Sequence, residues 1–193
     1  SKSLSLIDGP SVKKLEVKIA TLFGKKYGLM VNSGSSANLI ALSSFDFKKG
    51  SEIITPTLTF STTVAPILQL GYIPHFIDVD ENSFVARIDQ IKKAINKKTV
   101  AIIIPNLIGN VPYWPKISKI AKKFNLKVIE DSADTVGYKY NKKNFGKYSD
   151  IATNSMYASH IITGAGSGGM ICFNDKKISE MAIFIRSCFC CIP

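Results

Sequence analysis

Apolar residues along the chain follow two different spacings. Val12, Leu15, Ile19 and Leu22 recur at the spacing of one helix face, and Gly24 follows them as a natural stop, so they predict a first helix. The same spacing predicts further helices at 35–45, 62–70, 88–95 and 114–124. Short apolar runs between them predict strands at 27–31, 52–54, 73–79, 100–104 and 126–129.

Strands that alternate with helices predict βαβ units, and therefore a three-layer α/β domain with a mostly parallel sheet. The run 100–104 is wholly apolar, which is typical of a parallel strand buried on both faces. No internal repeat or low-complexity linker interrupts the pattern, so we expect one domain. In such sheets ligands bind beyond the carboxyl ends of the strands, and the polar motifs of this chain fall there.

Composition narrows the class of protein. The chain has 193 residues, of which 46% are hydrophobic, which suffices for one domain with a sizeable core. No apolar run reaches the ~20 residues of a membrane span, and residues 1–10 show no signal-peptide pattern, so we expect a cytoplasmic protein with no membrane partner. The net charge is +11, but the lysines form scattered pairs without an arginine cluster. We therefore expect a solvated surface and no nucleic-acid partner.

The four cysteines do not predict a disulfide framework. Cys188, Cys190 and Cys191 lie together near the C-terminus, and Cys172 stands alone. A metal or cluster site would need a second cysteine pair or a nearby histidine. We therefore expect free thiols and no metal.

The motif Asn-Ser-Gly-Ser-Ser-Ala-Asn at 32–38 joins a predicted strand to a predicted helix. Its glycine, Gly34, permits a close backbone turn, and the N–H groups at the start of a helix, here those of Ser35 and Ser36, favour an anion such as a phosphate. The alternative is an ordinary serine N-cap.

Two other strand ends carry candidate ligands. Glu130, Asp131 and Asp134 follow an apolar strand, and one of these carboxylates could hold the protonated nitrogen of a pyridoxal-type ring. The alternative is a helix-capping aspartate. In Thr-Pro-Thr-Leu-Thr-Phe at 55–60, Phe60 could lie flat against such a ring, or it could belong to the core.

The segment Asn-Ser-Met-Tyr-Ala-Ser-His at 154–160, followed by a glycine-rich run at 164–169, has the layout of a cofactor-anchoring loop. Such loops usually carry a lysine that bonds covalently to a carbonyl. This chain has His160 instead, and an imidazole, with an ordinary pKa of about 6.5, can move protons near neutral pH. The alternative is a histidine in a glycine-rich surface loop.

Together these motifs resemble the DegT/DnrJ/StrS sugar aminotransferases. Their order and spacing match from Gly9 to about Arg186. The resemblance implies the large domain of fold-type-I enzymes, which depend on pyridoxal 5'-phosphate. It also implies that Asp131 pairs with the pyridine nitrogen and that Phe60 stacks on the ring.

The same resemblance assigns phosphate binding to the backbone at Ser35 and Ser36 and to the hydroxyl of Ser155. The chain has His160 where the family has its lysine, which resembles the subgroup of NDP-4-keto-6-deoxyhexose 3-dehydratases. Those enzymes keep pyridoxamine 5'-phosphate as a diffusible coenzyme and use the histidine as a base. Some also carry an iron–sulfur cluster, but Ser132 and Ala133 occupy the place of its ligand here, so the cluster-free branch is the closer match.

The resemblance further implies a nucleotide-sugar substrate and a homodimer. It places a partial large domain at 1–186 and a divergent tail at 187–193, without the C-terminal domain that closes over the sugar nucleotide in the family. We therefore expect a truncated form with little turnover by itself. A lysine-dependent sugar aminotransferase and an inactive homologue are the alternatives.

Overall fold

A computed structural model describes residues 9–189 of the chain. The helices in this part are α1 (Pro10–Leu22), α2 (Gly34–Ser43), α3 (Ser61–Gln69), α4 (Ile88–Ala94), α5 (Trp114–Lys123) and α6 (Lys176–Phe189). The strands are β1 (Tyr27–Val31), β2 (Glu52–Pro56), β3 (Ile73–Ile77), β4 (Thr99–Pro105), β5 (Lys127–Asp131), β6 (Lys139–Tyr140), β7 (Lys143–Asn144), β8 (Ile151–Ser155) and β9 (Gly169–Phe173).

Seven of these strands form one sheet in the order β1-β9-β8-β5-β4-β2-β3, and β6 pairs with β7 in a separate hairpin. Strand β9 runs antiparallel to both of its neighbours. The remaining pairs in the large sheet are parallel. The predicted α/β fold with a mostly parallel sheet is therefore confirmed.

The sheet is covered on both faces, because neighbouring residues of its central strands enter different apolar clusters. Ile103 and Ile129 pack with residues of α2 and α6. Ile102 and Val128, one position away on the same strands, pack with residues of α5. This alternation follows from the two-residue period of a strand, and it produces the three-layer arrangement.

Several boundaries differ from the prediction. The second helix begins at Gly34 and ends at Ser43, whereas the third strand ends at Ile77. Strands β8 and β9 and helix α6 were not predicted. The segment predicted as a loop from 154 therefore begins inside β8.

The C-terminal helix α6 continues to Phe189, so the proposed tail at 187–193 begins within a helix. Cys188 is an exposed free thiol and Cys172 a buried one, whereas Cys190 and Cys191 lie outside the described residues. Within 9–189, no group of three or more His, Cys, Asp or Glu side chains could hold a metal ion. No helix in the same range has the length and apolarity needed to cross a membrane.

Candidate active site

A cavity of about 620 Å³ lies at the carboxyl edge of the sheet. Most of the predicted site residues line it, namely Gly34, Ser35, Phe60, Asp131, Asp134, Ser155 and His160. Ser36 is not among the lining residues, and its N–H donates to the Oγ of Ser33 at 3.1 Å. The parallel strands thus bring together side chains from widely separated parts of the sequence.

The carboxylate of Asp131, at the end of β5, is 6% exposed. Its Oδ2 accepts hydrogen bonds from Asn38 Nδ2 and from Thr63 Oγ1, both at 2.8 Å. Within the described part of the chain, its Oδ1 accepts only the N–H of Ala133, at 3.3 Å. Burial raises the pKa of Asp131, and the side-chain hydrogen bonds oppose this rise. Oδ1 is therefore held in place and has little hydrogen bonding to offset its negative charge, so it could accept a hydrogen bond from a cationic N–H.

The start of α2 forms a second part of the cavity. Ser33 is the N-cap and satisfies the N–H of Ser36, while the structure records no protein acceptor in residues 9–189 for the N–H groups of Gly34 and Ser35. A Cβ added to Gly34 would lie 2.6 Å from the Cβ of Ser155, so the missing side chain lets Ser155 approach the helix end. Free N–H groups, a helix dipole and a nearby hydroxyl make a cradle suited to a phosphate.

Apolar and aromatic side chains also line the cavity, around the polar groups described above. Phe60 immediately precedes α3 and is 68% exposed, so the alternative that it belongs to the core is wrong. Leu58, Ile108 and Tyr157 also line the cavity with exposed side chains. Exposed apolar and aromatic side chains of this kind suit contact with a planar ring.

His160 faces a carboxylate across the cavity. Its Nε2 lies 3.9 Å from Oδ1 of Asp134, which is longer than a hydrogen bond but close enough for electrostatic attraction. The other oxygen of Asp134 accepts the N–H of Ile108 at 2.9 Å. His160 Nδ1 is buried and has no hydrogen-bond partner among residues 9–189. Nε2 is therefore the ring nitrogen that can exchange a proton with a bound group.

Glu130, next to Asp131 on β5, belongs to a different polar cluster. Its Oε1 accepts from Asn106 Nδ2 at 3.1 Å and from Ser132 Oγ at 2.7 Å. Burial raises the pKa of Glu130 and lowers the pKa of Lys25, nearby, to about 8. Glu130 is not among the cavity-lining residues, whereas the neighbouring carboxylates of Asp131 and Asp134 do line the cavity.

Sequence reasoning missed the residues that support Asp131, namely Asn38, Thr63 and Thr153. Asn38 lies one helical turn after Gly34, on the same side of α2, and that spacing could have indicated its direction. Thr63 and Thr153 gave no comparable signal, because a buried threonine looks like an ordinary sheet or helix residue.

Comparison with known proteins fits this geometry. The chain matches the model of the DegT/DnrJ/EryC1/StrS aminotransferase family over residues 1–191. The chain belongs to this family. The recognition based on sequence motifs is thereby confirmed, and the match reaches beyond the expected limits of Gly9 and Arg186 on both sides, into the tail that was expected to diverge.

Among relatives, GDP-4-keto-6-deoxy-D-mannose 3-dehydratase of Yersinia pseudotuberculosis is 35% identical over 185 residues, covering 93% of this chain and 47% of that protein. UDP-N-acetyl-3-dehydro-alpha-D-glucosamine 3-aminotransferase of Acidithiobacillus ferrooxidans is 36% identical over 183 residues, covering 95% of this chain and 50% of that protein. The chain thus spans about half the length of the curated relatives it matches.

The fold also matches a solved structure of this family. E. coli GDP-4-keto-6-deoxy-D-mannose-3-dehydratase with bound hydrated PLP superposes with a TM-score of 0.87 at 36% identity, covering 93% of this chain and 47% of that one. The cavity described above fits such a group: its buried carboxylate suits a pyridine nitrogen, and the cradle beside Gly34 suits a phosphate.

Proposed function

We propose that this chain forms the coenzyme-binding part of a dehydratase that removes the C3 hydroxyl of a nucleotide-linked 4-keto-6-deoxyhexose, with pyridoxamine 5'-phosphate as its coenzyme. Deoxysugar formation for a lipopolysaccharide O-antigen is the setting we infer, in a cytoplasmic homodimer. The relatives support a family that deoxygenates or aminates nucleotide sugars.

One observation favours dehydration over a lysine-dependent aminotransferase reaction. His160 lines the cavity, and no lysine of residues 9–189 does so. Lys139 lies in the small β6–β7 hairpin and Lys142 in its turn, and neither of them lines the cavity. Without a lysine the cavity would hold its coenzyme non-covalently, and His160 would be available there as a base.

Each residue then has a separate task. Asp131 accepts the ring N–H at Oδ1, while the N–H groups of Gly34 and Ser35 and the hydroxyl of Ser155 bind the phosphate. Phe60 covers one face of the ring and excludes water from it. When bound, the coenzyme supplies an amine for the C4 ketone and a ring that accepts electrons.

His160 is the proton carrier in this scheme. With the coenzyme bound, its Nε2 would be the atom that accepts a proton and later gives it up, first as a general base and then as a general acid. Asp134 lies beside this atom, with its Oδ1 3.9 Å from Nε2, and its other oxygen accepts the N–H of Ile108.

A sugar aminotransferase is the second candidate, and the similarity to the Acidithiobacillus 3-aminotransferase favours it. It requires a lysine that bonds to the aldehyde of pyridoxal 5'-phosphate. The two candidates therefore differ in whether borohydride reduction fixes the coenzyme to one lysine.

The experiment mixes the purified chain with pyridoxal 5'-phosphate, reduces it with borohydride and maps modified peptides by mass spectrometry. We expect no single stoichiometric adduct in the wild type and a specific adduct at position 160 in His160→Lys. His75→Lys is the matched control, because His75 lies in the edge strand β3 and pairs with Glu52. A stoichiometric adduct on one wild-type lysine would favour the aminotransferase instead.

A second measurement follows exchange of the methylene protons of pyridoxamine 5'-phosphate in deuterium oxide. We expect His160→Asn to slow this exchange by about 10²–10⁴-fold, whereas His75→Asn leaves it unchanged. Equal exchange in His160→Asn and in the wild type would remove His160 from the mechanism.

A further inference from the structure

Behind the cavity, a chain of hydrogen bonds joins four buried side chains from four different elements. Thr153 of β8 donates from Oγ1 to Asn38 Oδ1 at 2.6 Å. Asn38 of α2 and Thr63 of α3 both donate to Asp131 Oδ2 at 2.8 Å. None of the four is more than 6% exposed, so water does not compete with these bonds.

The direction of each bond follows from the chemistry of the groups. The carboxylate oxygen Asp131 Oδ2 accepts from the Asn38 amide, so the amide must turn its nitrogen toward it. A reversed amide would set its carbonyl oxygen against the carboxylate oxygen, and Thr153 would lose its acceptor. Thr153 thus fixes the orientation of the amide, although it does not touch Asp131 Oδ2 itself.

The two oxygens of Asp131 are consequently different. Oδ2 accepts from two side-chain donors, whereas from the residues that the structure describes Oδ1 accepts only the backbone N–H of Ala133, at 3.3 Å. A proton shared between Asp131 and a bound ring must therefore lie on the Oδ1 side. Donors to Oδ2 stabilise the carboxylate, so they favour leaving that proton on the ring nitrogen.

We propose that Asn38, Thr63 and Thr153 are positioning residues that keep Asp131 an anion and direct its Oδ1 to the ring nitrogen of bound pyridoxamine 5'-phosphate. This inference rests on the proposed function, because it requires that the cavity bind such a ring. Loss of the hydrogen bond from Asn38 or from Thr63 to Asp131 moves the shared proton from the ring nitrogen to Oδ1, and no other bond forms or breaks.

The variants follow from the contacts. Thr63→Val removes one donor to Asp131 at nearly constant volume, and Thr153→Val releases the amide of Asn38. Thr63→Ser and Thr153→Ser keep the hydroxyls and should restore wild-type behaviour. Thr55→Val is the matched control, because Thr55 is fully buried on β2 and its Oγ1 has no hydrogen-bond partner in the described range 9–189.

The probe is pyridoxamine 5'-phosphate labelled with ¹⁵N in the ring, since its amine cannot bond covalently to surface lysines. The ¹⁵N chemical shift of the bound ring reports whether its nitrogen is protonated, and an absorbance titration gives the dissociation constant. Thermal denaturation of each variant verifies that it is folded, and Asn38→Leu is a further variant that removes a donor if Thr153→Val proves unstable.

We expect a protonated ring nitrogen in the wild type and in Thr55→Val. In Thr63→Val and Thr153→Val the shift should move toward the unprotonated ring, and binding should weaken by about tenfold, as expected for one hydrogen bond to a charged group. Wild-type shifts and affinities in both valine variants would overturn the inference. Failure of the wild-type chain to bind the probe saturably would overturn the proposed function itself, and with it the inference.

Discussion

The close approach of Gly34 to Ser155 predicts the effect of a single added methyl group. In Gly34→Ala the new Cβ would lie 2.6 Å from the Cβ of Ser155 and 3.0 Å from its Oγ. Both contacts are too short for van der Waals spheres, and the Cβ of Ser155 is tied to a strand in the centre of the sheet. Either α2 or the end of β8 must therefore shift.

The magnitude follows from two opposing terms. Overpacking of this kind costs about 1–3 kcal/mol, whereas replacing glycine by alanine in a helix gains at most about 1 kcal/mol. We expect a net loss of about 1–2 kcal/mol in the free energy of unfolding. For a domain of this size each kcal/mol corresponds to a shift of about 2–4 °C in Tm. Because the phosphate cradle moves too, pyridoxamine 5'-phosphate should bind more weakly.

Thermal denaturation and a binding titration measure the two effects. Ser35→Ala is the control for stability, since Ser35 is exposed at the next position of the same helix turn. In the double variant Gly34→Ala/Ser155→Gly the clash is removed, so its destabilisation should be smaller than the sum of the two single changes. A Gly34→Ala variant as stable and as tightly binding as the wild type would refute the reasoning.

Three further changes test other parts of the structure. Burial lowers the pKa of Lys25 to about 8 from 10.5, so unfolding takes up a proton between those pH values and the free energy of unfolding should rise with pH there. Lys25→Met should remove this rise in denaturation curves measured from roughly pH 7 to 11, which spans both pKa values. The same pH dependence in the variant and in the wild type would contradict this prediction. Ile108 has a φ of 55° and is 72% exposed, so Ile108→Gly should raise stability by about 1 kcal/mol by relieving backbone strain, and a fall in Tm would count against that strain. Trp114 donates from Nε1 to Asn106 Oδ1 at 2.9 Å, so Trp114→Phe should cost about 1–3 kcal/mol in urea denaturation by leaving a buried acceptor unpaired, and an unchanged midpoint would be inconsistent with that bond.

The sequence predicts the interior strands β2, β4 and β5 well, because each of them contains an apolar run. Strand β4 is recognisable by its uninterrupted run at 100–104, and the rule that ligands bind at carboxyl strand ends correctly brings 33–36, 56–61, 131–134 and 155–160 to one edge. The order of the strands in the sheet could not be predicted, because it depends on which faces pack in three dimensions.

Strand β8 was not predicted, and the reason differs from that for the order of the strands. It is buried along its whole length, yet Thr153, Asn154 and Ser155 are polar. Thr153 binds Asn38, and Asn154 Nδ2 donates to the carbonyl of Ser132 at 2.6 Å. A polar residue can be buried when a distant segment satisfies it, and a reading of local hydropathy contains no information about that segment. The hydrogen bonds to Asp131 were missed for the same reason.

The position of β9 has a consequence for how the protein is made. β9 lies between β1 and β8, and Tyr27 of β1 pairs with Phe173 of β9. On the ribosome, β1 therefore emerges early and finds no partner until almost all of the described chain has been synthesised. Protein synthesis adds about 5–20 residues per second, so the backbone N–H and C=O groups of β1 stay without their β9 partner for several seconds or longer. Until translation reaches β9, the unpaired edge of β1 is therefore a site at which another strand could pair wrongly.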